Sequence, residues 1–186
     1  MIGEPDVDAA ALMARAADGD RGAWRELYLA YRDYVFRTAL RFLGSEAQAA
    51  DITQDVFVAL FGRARQYKPQ ARFTTFLFRV VANRCLNERA RAHTRLHDDD
   101  ASKHDALARL SAGPSENPEA HLRRAESAAA VRRAILALTE WQRLAVILSR
   151  FEGLSYEEIA LAMSTSVGTV ESLLFRARRK LGELLR

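Results

Sequence analysis

The sequence predicts an all-α protein of two small helical domains joined by a flexible acidic linker, the first a helical bundle and the second a helix-turn-helix domain. Three observations predict it. Apolar residues recur at three- and four-residue steps along most of the chain, the spacing that lines one face of an α-helix. No run alternates β-branched and polar residues as a half-buried strand would. Between His97 and Asn117 the periodicity stops at "HDDDASKHDALARLSAGPSEN", whose three consecutive aspartates, Gly113 and Pro114 are linker chemistry. The domains therefore fall at 1–96 and 118–186, with 97–117 between them.

Composition narrows the class. Apolar residues at 49% and charged ones at 28% exclude a disordered chain, and 186 residues suffice for one or two small cores. Apolar runs of only a few residues exclude a transmembrane helix. The start, "MIGEPDVDAAALMARAADGD", lacks the basic residues and apolar stretch of a signal peptide. Cys85 is the single cysteine, so no disulfide can close within the chain, and a reducing cytosol is expected. A net charge of +4 is mildly basic, so the placement of the charges matters more than their sum.

Each element has its own signal. A short helix is predicted near Asp8 to Ala17. From Arg21 to Leu43, Trp24, Leu27, Tyr28, Tyr31, Val35 and Leu40 form an apolar stripe that meets Gly44 as a stop. Ser45 caps "EAQAADITQDVFVALFGRA", which buries Ile52, Val56 and Leu60 and displays Asp51, Gln54 and Asp55. Pro69 breaks the pattern in "RQYKPQARF". Thr74 is the expected cap of a helix running to about Leu96. Asn117 and Pro118 open the second domain, in which "PEAHLRRAESAAAVRRAILAL" is one helix. Thr139 caps the next, which Gly153 ends. Ser155 and Glu158 form a capping box opening "YEEIALAM". "STS" then makes a short turn into a helix from about Val167.

In that last helix Val170, Leu174, Ala177 and Leu181 share a core-facing stripe. Ser172, Arg176 and Arg179 lie roughly opposite, flanked by Thr169 and Lys180. A basic, hydroxyl-bearing face suits the major groove; the alternative is a solvated face of a bundle helix. Upstream, Arg84, Arg91 and Arg95 share an arc with Asn83 and Asn87, while Phe76 and Val80 occupy it one turn earlier. Tyr67 and Phe73 bracket a loop with two cations, a chemistry suited to unstacked bases, although rings of this kind also anchor cores. The acidic stripe of Asp51, Gln54 and Asp55 would repel nucleic acid and suggests a protein partner. No phosphate loop, metal-ligand spacing or activated nucleophile is evident, and Cys85 reads as buried and inert.

In this order, "ADITQDVFVALF", "ARFTTFLFRVVANRCLNERAR" and "LTEWQRLAVILSRFEGLSYEEIALAMSTSVGTVESLLFRARRKL" resemble the extracytoplasmic-function (group 4) sigma factors of bacterial RNA polymerase. The resemblance covers nearly the whole chain. It implies a sigma region 2 over 1–96 and a region 4 over 118–186, with no catalytic residue, cofactor or metal. Asp51, Gln54, Asp55 and Phe57 would dock on the clamp helices of the largest polymerase subunit, and region 4 on the flap of the second largest. Tyr67, Lys68, Arg72 and Phe73 would capture a flipped base of the minus-ten element, with Asn83, Arg84, Asn87 and Arg91 along the strand. Thr169, Glu171, Ser172, Phe175, Arg176, Arg179 and Lys180 would read the minus-thirty-five element as duplex.

The family further implies control by an anti-sigma partner, and a cytoplasmic, nucleoid-associated life with retention at the membrane through that partner as an option. Three positions depart from the pattern: Glu171 and Leu173, where basic residues are frequent, and Phe76, where tryptophan is common. Two rival readings are a duplex-binding regulator that never meets polymerase, and an enzyme.

Overall fold

In the computed structural model, residues 7–67, 72–95 and 118–186 are described. The first unit holds α1 (Ala9–Ala17), α2 (Arg21–Leu43), α3 (Glu46–Arg63), a 3-10 turn (Ala64–Gln66) and α4 (Phe73–Arg95). The second holds α5 (Pro118–Leu136), α6 (Glu140–Arg150), α7 (Tyr156–Ala162) and α8 (Val167–Leu184). Among the described residues there is no strand. The proposed linker and Lys68 lie outside them.

Local chemistry sets the helix ends. The Asp20 carboxylate accepts from the N–H groups of Gly22 and Ala23 at 2.8 and 3.1 Å, and Arg15 reaches it at 2.7 Å, so one acid caps α2 and braces α1. These partners hold its carboxyl below the usual aspartate range, the Ala23 N–H first among them. Gly44 ends α2 at φ +78°, a left-handed conformation, with its N–H on the Leu40 carbonyl at 2.9 Å. Ser45 caps α3 as expected.

One boundary differs. α4 begins at Phe73, so Thr74 lies within the first turn and does not cap it. The Arg72 carbonyl accepts from the Thr75 N–H, and Thr74 and Thr75 are both buried, which makes them packing residues of a helix start.

The buried faces match the apolar stripes except at Tyr28 of α2, which is 41% exposed, and at Trp24 and Leu181, which are half-buried. Leu27, Tyr31, Val35 and Leu40 of α2 meet Val56 and Leu60 of α3 and Leu77, Phe78 and Val81 of α4. Leu144, Ile147 and Leu148 of α6 meet Ile159 of α7 and Val170, Leu174 and Ala177 of α8. Each such Leu, Ile, Val or Phe side chain contributes about 1.5–3 kcal/mol when removed from water. Cys85 is fully buried, and desolvation pushes its thiol up to about 12.

The two units also touch. Their buried residues form one connected cluster; α7 lies along α4, and α6 lies against α2. Arg143 of α6, only 3% exposed, donates to the carbonyls of Ile135, Leu136 and Leu138, and at 2.7 Å to that of Phe42 at the end of α2. One guanidinium therefore satisfies orphan carbonyls at two helix ends from different units. A Cβ added to Gly44 would stand 3.1 Å from a Leu136 methyl, so α5 approaches this turn closely.

Candidate nucleic-acid and polymerase interface

Three exposed faces emerge from these elements. On α3, Asp51, Gln54 and Asp55 are exposed because Ile52, Val56 and Leu60 take the opposite stripe. Phe57, 8% exposed, sits edge-on to Tyr28 at 4.9 Å. Trp24, Tyr28, Gln54, Phe57, Val58 and Phe61 line an open groove between α2 and α3. Val58 and Phe61 are 64% and 66% exposed, so an apolar strip runs beside the acidic one. A polar rim around exposed rings is what a protein partner covers.

The second face surrounds the start of α4. Tyr67, Phe73 and Phe76 form a ring cluster, with Tyr67 and Phe76 centroids 5.1 Å apart and Tyr67 and Phe73 6.0 Å apart. Phe73 is buried and packs on Tyr31 at 4.9 Å, so it supports the cluster from within the core. Tyr67 and Phe76 are partly buried. Among the described residues the Tyr67 hydroxyl is buried without a hydrogen-bond partner, and desolvation raises its pKa. Further along α4, Asn83, Asn87 and Arg91 are exposed on one arc while Arg84 is half-buried. The helix thus buries its first half and shows a polar, cationic second half.

The third face belongs to α8. Ser166 caps the helix through the Thr169 N–H at 3.2 Å, and its hydroxyl lies 2.9 Å from that of Thr169. Ser164 turns the chain between α7 and α8 at φ +53°, a left-handed conformation for a non-glycine residue. Arg178 donates to the Tyr156 hydroxyl at 2.9 Å and ties α8 to α7.

Outward, Glu171, Ser172, Phe175 and Arg176 line one shallow depression, with Phe175 68% exposed. Arg179 and Lys180 continue the exposed face, Arg179 3.8 Å from Glu183. Leu173 is 8% exposed, so this departure from the basic pattern is packing.

A fourth set of residues lies at the junction of the units, where no local pattern foretold their meeting. Glu152, whose side chain is 2% exposed, accepts from the Thr38 hydroxyl at 2.8 Å and pairs with Arg41 at 3.3 Å. Burial pushes the Glu152 carboxyl up, opposed by Thr38 and Arg41. The Arg41 guanidinium also lies 4.7 Å from the Phe151 ring centre. Glu158 accepts from the Thr75 hydroxyl at 3.2 Å and lies 3.8 Å from Arg72. An acid beside a helix-ending glycine reads as solvated, so Glu152 carried no warning. Arg143 did carry one, because a cation occupies the apolar register of α6 beside Ile147.

Comparison with known proteins agrees with this geometry. Residues 27–95 match the model of Sigma-70 region 2, and residues 128–181 that of Sigma-70, region 4. The RNA polymerase sigma-H factor of Pseudomonas aeruginosa is 33% identical over 177 residues, covering 94% of this chain and 92% of that protein. The ECF RNA polymerase sigma-E factor of Escherichia coli K12 is 32% identical over 170 residues, covering 90% and 88%. CnrH, solved in complex with the cytosolic domain of CnrY, superposes with a TM-score of 0.67 at 27% identity over 96% of this chain and 97% of that one. The sigma factor RpoE of Bartonella quintana, solved with the anti-sigma factor NepR, shares the fold at TM-score 0.67 and 22% identity, over 87% and 95%.

Two modules in this order define a sigma factor of bacterial RNA polymerase, the subunit that selects promoters at transcription initiation. Within that class the chain belongs to the extracytoplasmic-function sigma factors. Among the described residues no helix is long and apolar enough to cross a membrane, and no cluster of His, Cys, Asp and Glu could hold a metal ion.

Proposed function

We propose that the chain divides promoter recognition among the three faces, with catalysis left to the polymerase. Region 2 extends over 1–96 and region 4 over 118–186, joined by 97–117. Asp51, Gln54, Asp55 and Phe57 meet the clamp helices of the largest polymerase subunit, and region 4 meets the flap of the second largest. Tyr67 and Phe76 stack an extruded minus-ten base, Phe73 backs them from the core, and Lys68 and Arg72 hold the backbone. Extruding a base costs a few kcal/mol, which ring stacking at about 1–3 kcal/mol per base and the adjacent charges must recover. Asn83, Asn87 and Arg91 follow the strand, with Arg84 beside them.

Thr169, Glu171, Ser172, Phe175, Arg176, Arg179 and Lys180 address the minus-thirty-five duplex. Phe175 offers an apolar contact for a thymine methyl and Arg176 a donor pair for guanine. An anti-sigma partner covers some of these surfaces, as the complexes of CnrH with CnrY and of RpoE with NepR suggest by analogy. The protein works in the cytoplasm at the nucleoid, and that partner offers a means of retention at the membrane.

The observation that carries this reading is the partition of α4 into a buried aromatic start and an exposed Asn/Arg second half. A duplex-binding regulator needs no such surface. The test is run-off transcription with purified core polymerase and a promoter library. Wild-type chain should give promoter-specific transcripts, and Asp51→Arg with Asp55→Arg should cut them at least tenfold by loss of core binding. Failure of the wild type to initiate at any promoter overturns the reading.

A further inference from the structure

The outer face of the α2–α3 hairpin carries an apolar groove flanked by charge of opposite sign. Trp24 and Phe61 stand 5.1 Å apart across it, with Tyr28 and Phe57 4.9 Å apart one turn further along. Tyr28, Val58 and Phe61 are 41%, 64% and 66% exposed, and the cavity beside them holds about 790 Å³. Arg21, Arg25 and Arg32 of α2 line one side. On α3, Gln54 lines the other side, and Asp51 and Asp55 are exposed further round the same helix. Contacts with the second unit use the far end of α2, at Thr38 and Arg41, so among the described residues they leave the groove open. Large rings left in water on a globular chain mark a surface that something covers.

The placement of the charges says what fits. The ring pairs set the register of the hairpin, with Tyr28 level with Phe57 and Trp24 level with Phe61. One helical turn on from Tyr28 is Arg32, which is level with a point on α3 between Asp51 and Asp55. At about 100° per residue, these two acids lie round α3 from Gln54 on the side away from α2. A two-fold axis in the plane of the face and parallel to the groove keeps every level and exchanges the two sides. It lays α2 of one copy over α3 of the other, so the same Arg32 contact with Asp51 and Asp55 forms twice. Any other partner would have to bring both signs in the same order; a second copy does so by symmetry.

Arg32 is already presented on this face. Its guanidinium lies 5.9 Å from the Tyr28 ring centre and 3.5 Å from Asp33, in a pair whose side chains are 47% and 72% exposed. Such an exposed pair contributes little, so exchanging it for two acids across an interface meets little resistance.

We propose that the α2–α3 face is a self-association surface: two copies of the chain pair through it about a two-fold axis, with Trp24, Tyr28, Val58 and Phe61 at the centre and Arg32 of each copy on Asp51 and Asp55 of the other. Four apolar anchors with a charged rim make a small interface, so the pair is reversible, with a dissociation constant on the order of 10 µM. The same face holds the residues assigned above to the clamp helices. One consequence rests on that reading: core polymerase and a second copy compete, and the rings stay covered until core displaces the partner.

Sedimentation velocity of the full chain over a micromolar concentration series measures the pairing. Wild type should shift from monomer to dimer, and high salt should oppose the shift by screening the rim. Arg32→Glu sets like charges together at both contacts, and so does Asp51→Arg with Asp55→Arg; each should weaken pairing by about tenfold. Mixed in equal amounts, these two variants again place opposite charges at both contacts, and pairing should return. Misfolded variants could not rescue each other in this way. Phe61→Asp puts a charge at the apolar centre and should abolish pairing in every mixture.

A wild type that stays monomeric throughout the series overturns the pairing. Association that neither charge reversal weakens, or that mixing fails to restore, overturns it equally. For the competition, donor and acceptor dyes are placed on separate copies through Glu46→Cys, an exposed position, while Cys85 is buried and stays unlabelled. Energy transfer between copies should disappear on addition of core polymerase, and its persistence at saturating core rejects the competition. Run-off transcription is scored separately. Promoter-specific transcripts from a chain that never pairs sink the dimer alone, whereas a chain that pairs but gives no transcripts sinks the functional reading and leaves the dimer standing.

Discussion

Glu171 puts a negative charge on the face of α8 that also presents Ser172, Phe175 and Arg176. Against phosphates a carboxylate is repulsive, yet in the major groove it accepts from the cytosine N4 amino group. Losing the match at one base pair costs about 1–3 kcal/mol, roughly five- to 150-fold. Glu171→Ala should therefore relax the preference at one base pair of the minus-thirty-five element and tighten duplex binding slightly overall. Selection from a randomised duplex library checks it, and an unchanged base preference rejects the role.

Glu171 was legible in the sequence as an acid among basic neighbours. Glu152 was not: its meaning comes from Thr38 and Arg41, more than a hundred residues earlier in the chain.

At the scale of the element, α8 separates stability from recognition by register alone. Val170, Leu174 and Ala177 are buried, while Phe175, one residue further round than Leu174, is 68% exposed. Leu174→Ala should cost about 2–5 kcal/mol of stability, because it opens a cavity between α6, α7 and α8. Phe175→Ala should change stability by no more than about 0.5 kcal/mol while weakening duplex binding. Thermal melts and binding measured on both variants test the partition, and a large stability loss in Phe175→Ala would contradict it.

The periodicity made this helix readable, since apolar spacing at three and four residues needs no partner to be seen. The start of α4 was read less well. Thr74 has the chemistry of a cap, but tertiary burial drew the helix back to Phe73 and put both threonines inside.

For the molecule as a whole, Arg143 is the residue on which the arrangement turns. It takes carbonyls from the end of α5, the turn after it and the end of α2, and burial with the nearby Arg89 lowers its pKa to about 10, still charged at neutral pH. Arg143→Met keeps the volume but leaves several carbonyls without donors, so a loss of about 3–5 kcal/mol is expected. The loss should appear in chemical denaturation of the full chain. A variant as stable as wild type would mean that water replaces the guanidinium at no cost.

What the sequence determined alone is the set of helices, the faces they bury and the order of modules, because periodicity, caps and glycine stops act within a few residues. The acidic stripe of α3, the polar half of α4 and the outer face of α8 follow from the same local rules. Only the tertiary structure decided which charges are buried and what they face: Arg143 on α2, Glu152 on Thr38 and Arg41, and Glu158 on Arg72. The cost of a buried charge depends on partners brought from distant parts of the chain, and no local pattern records them.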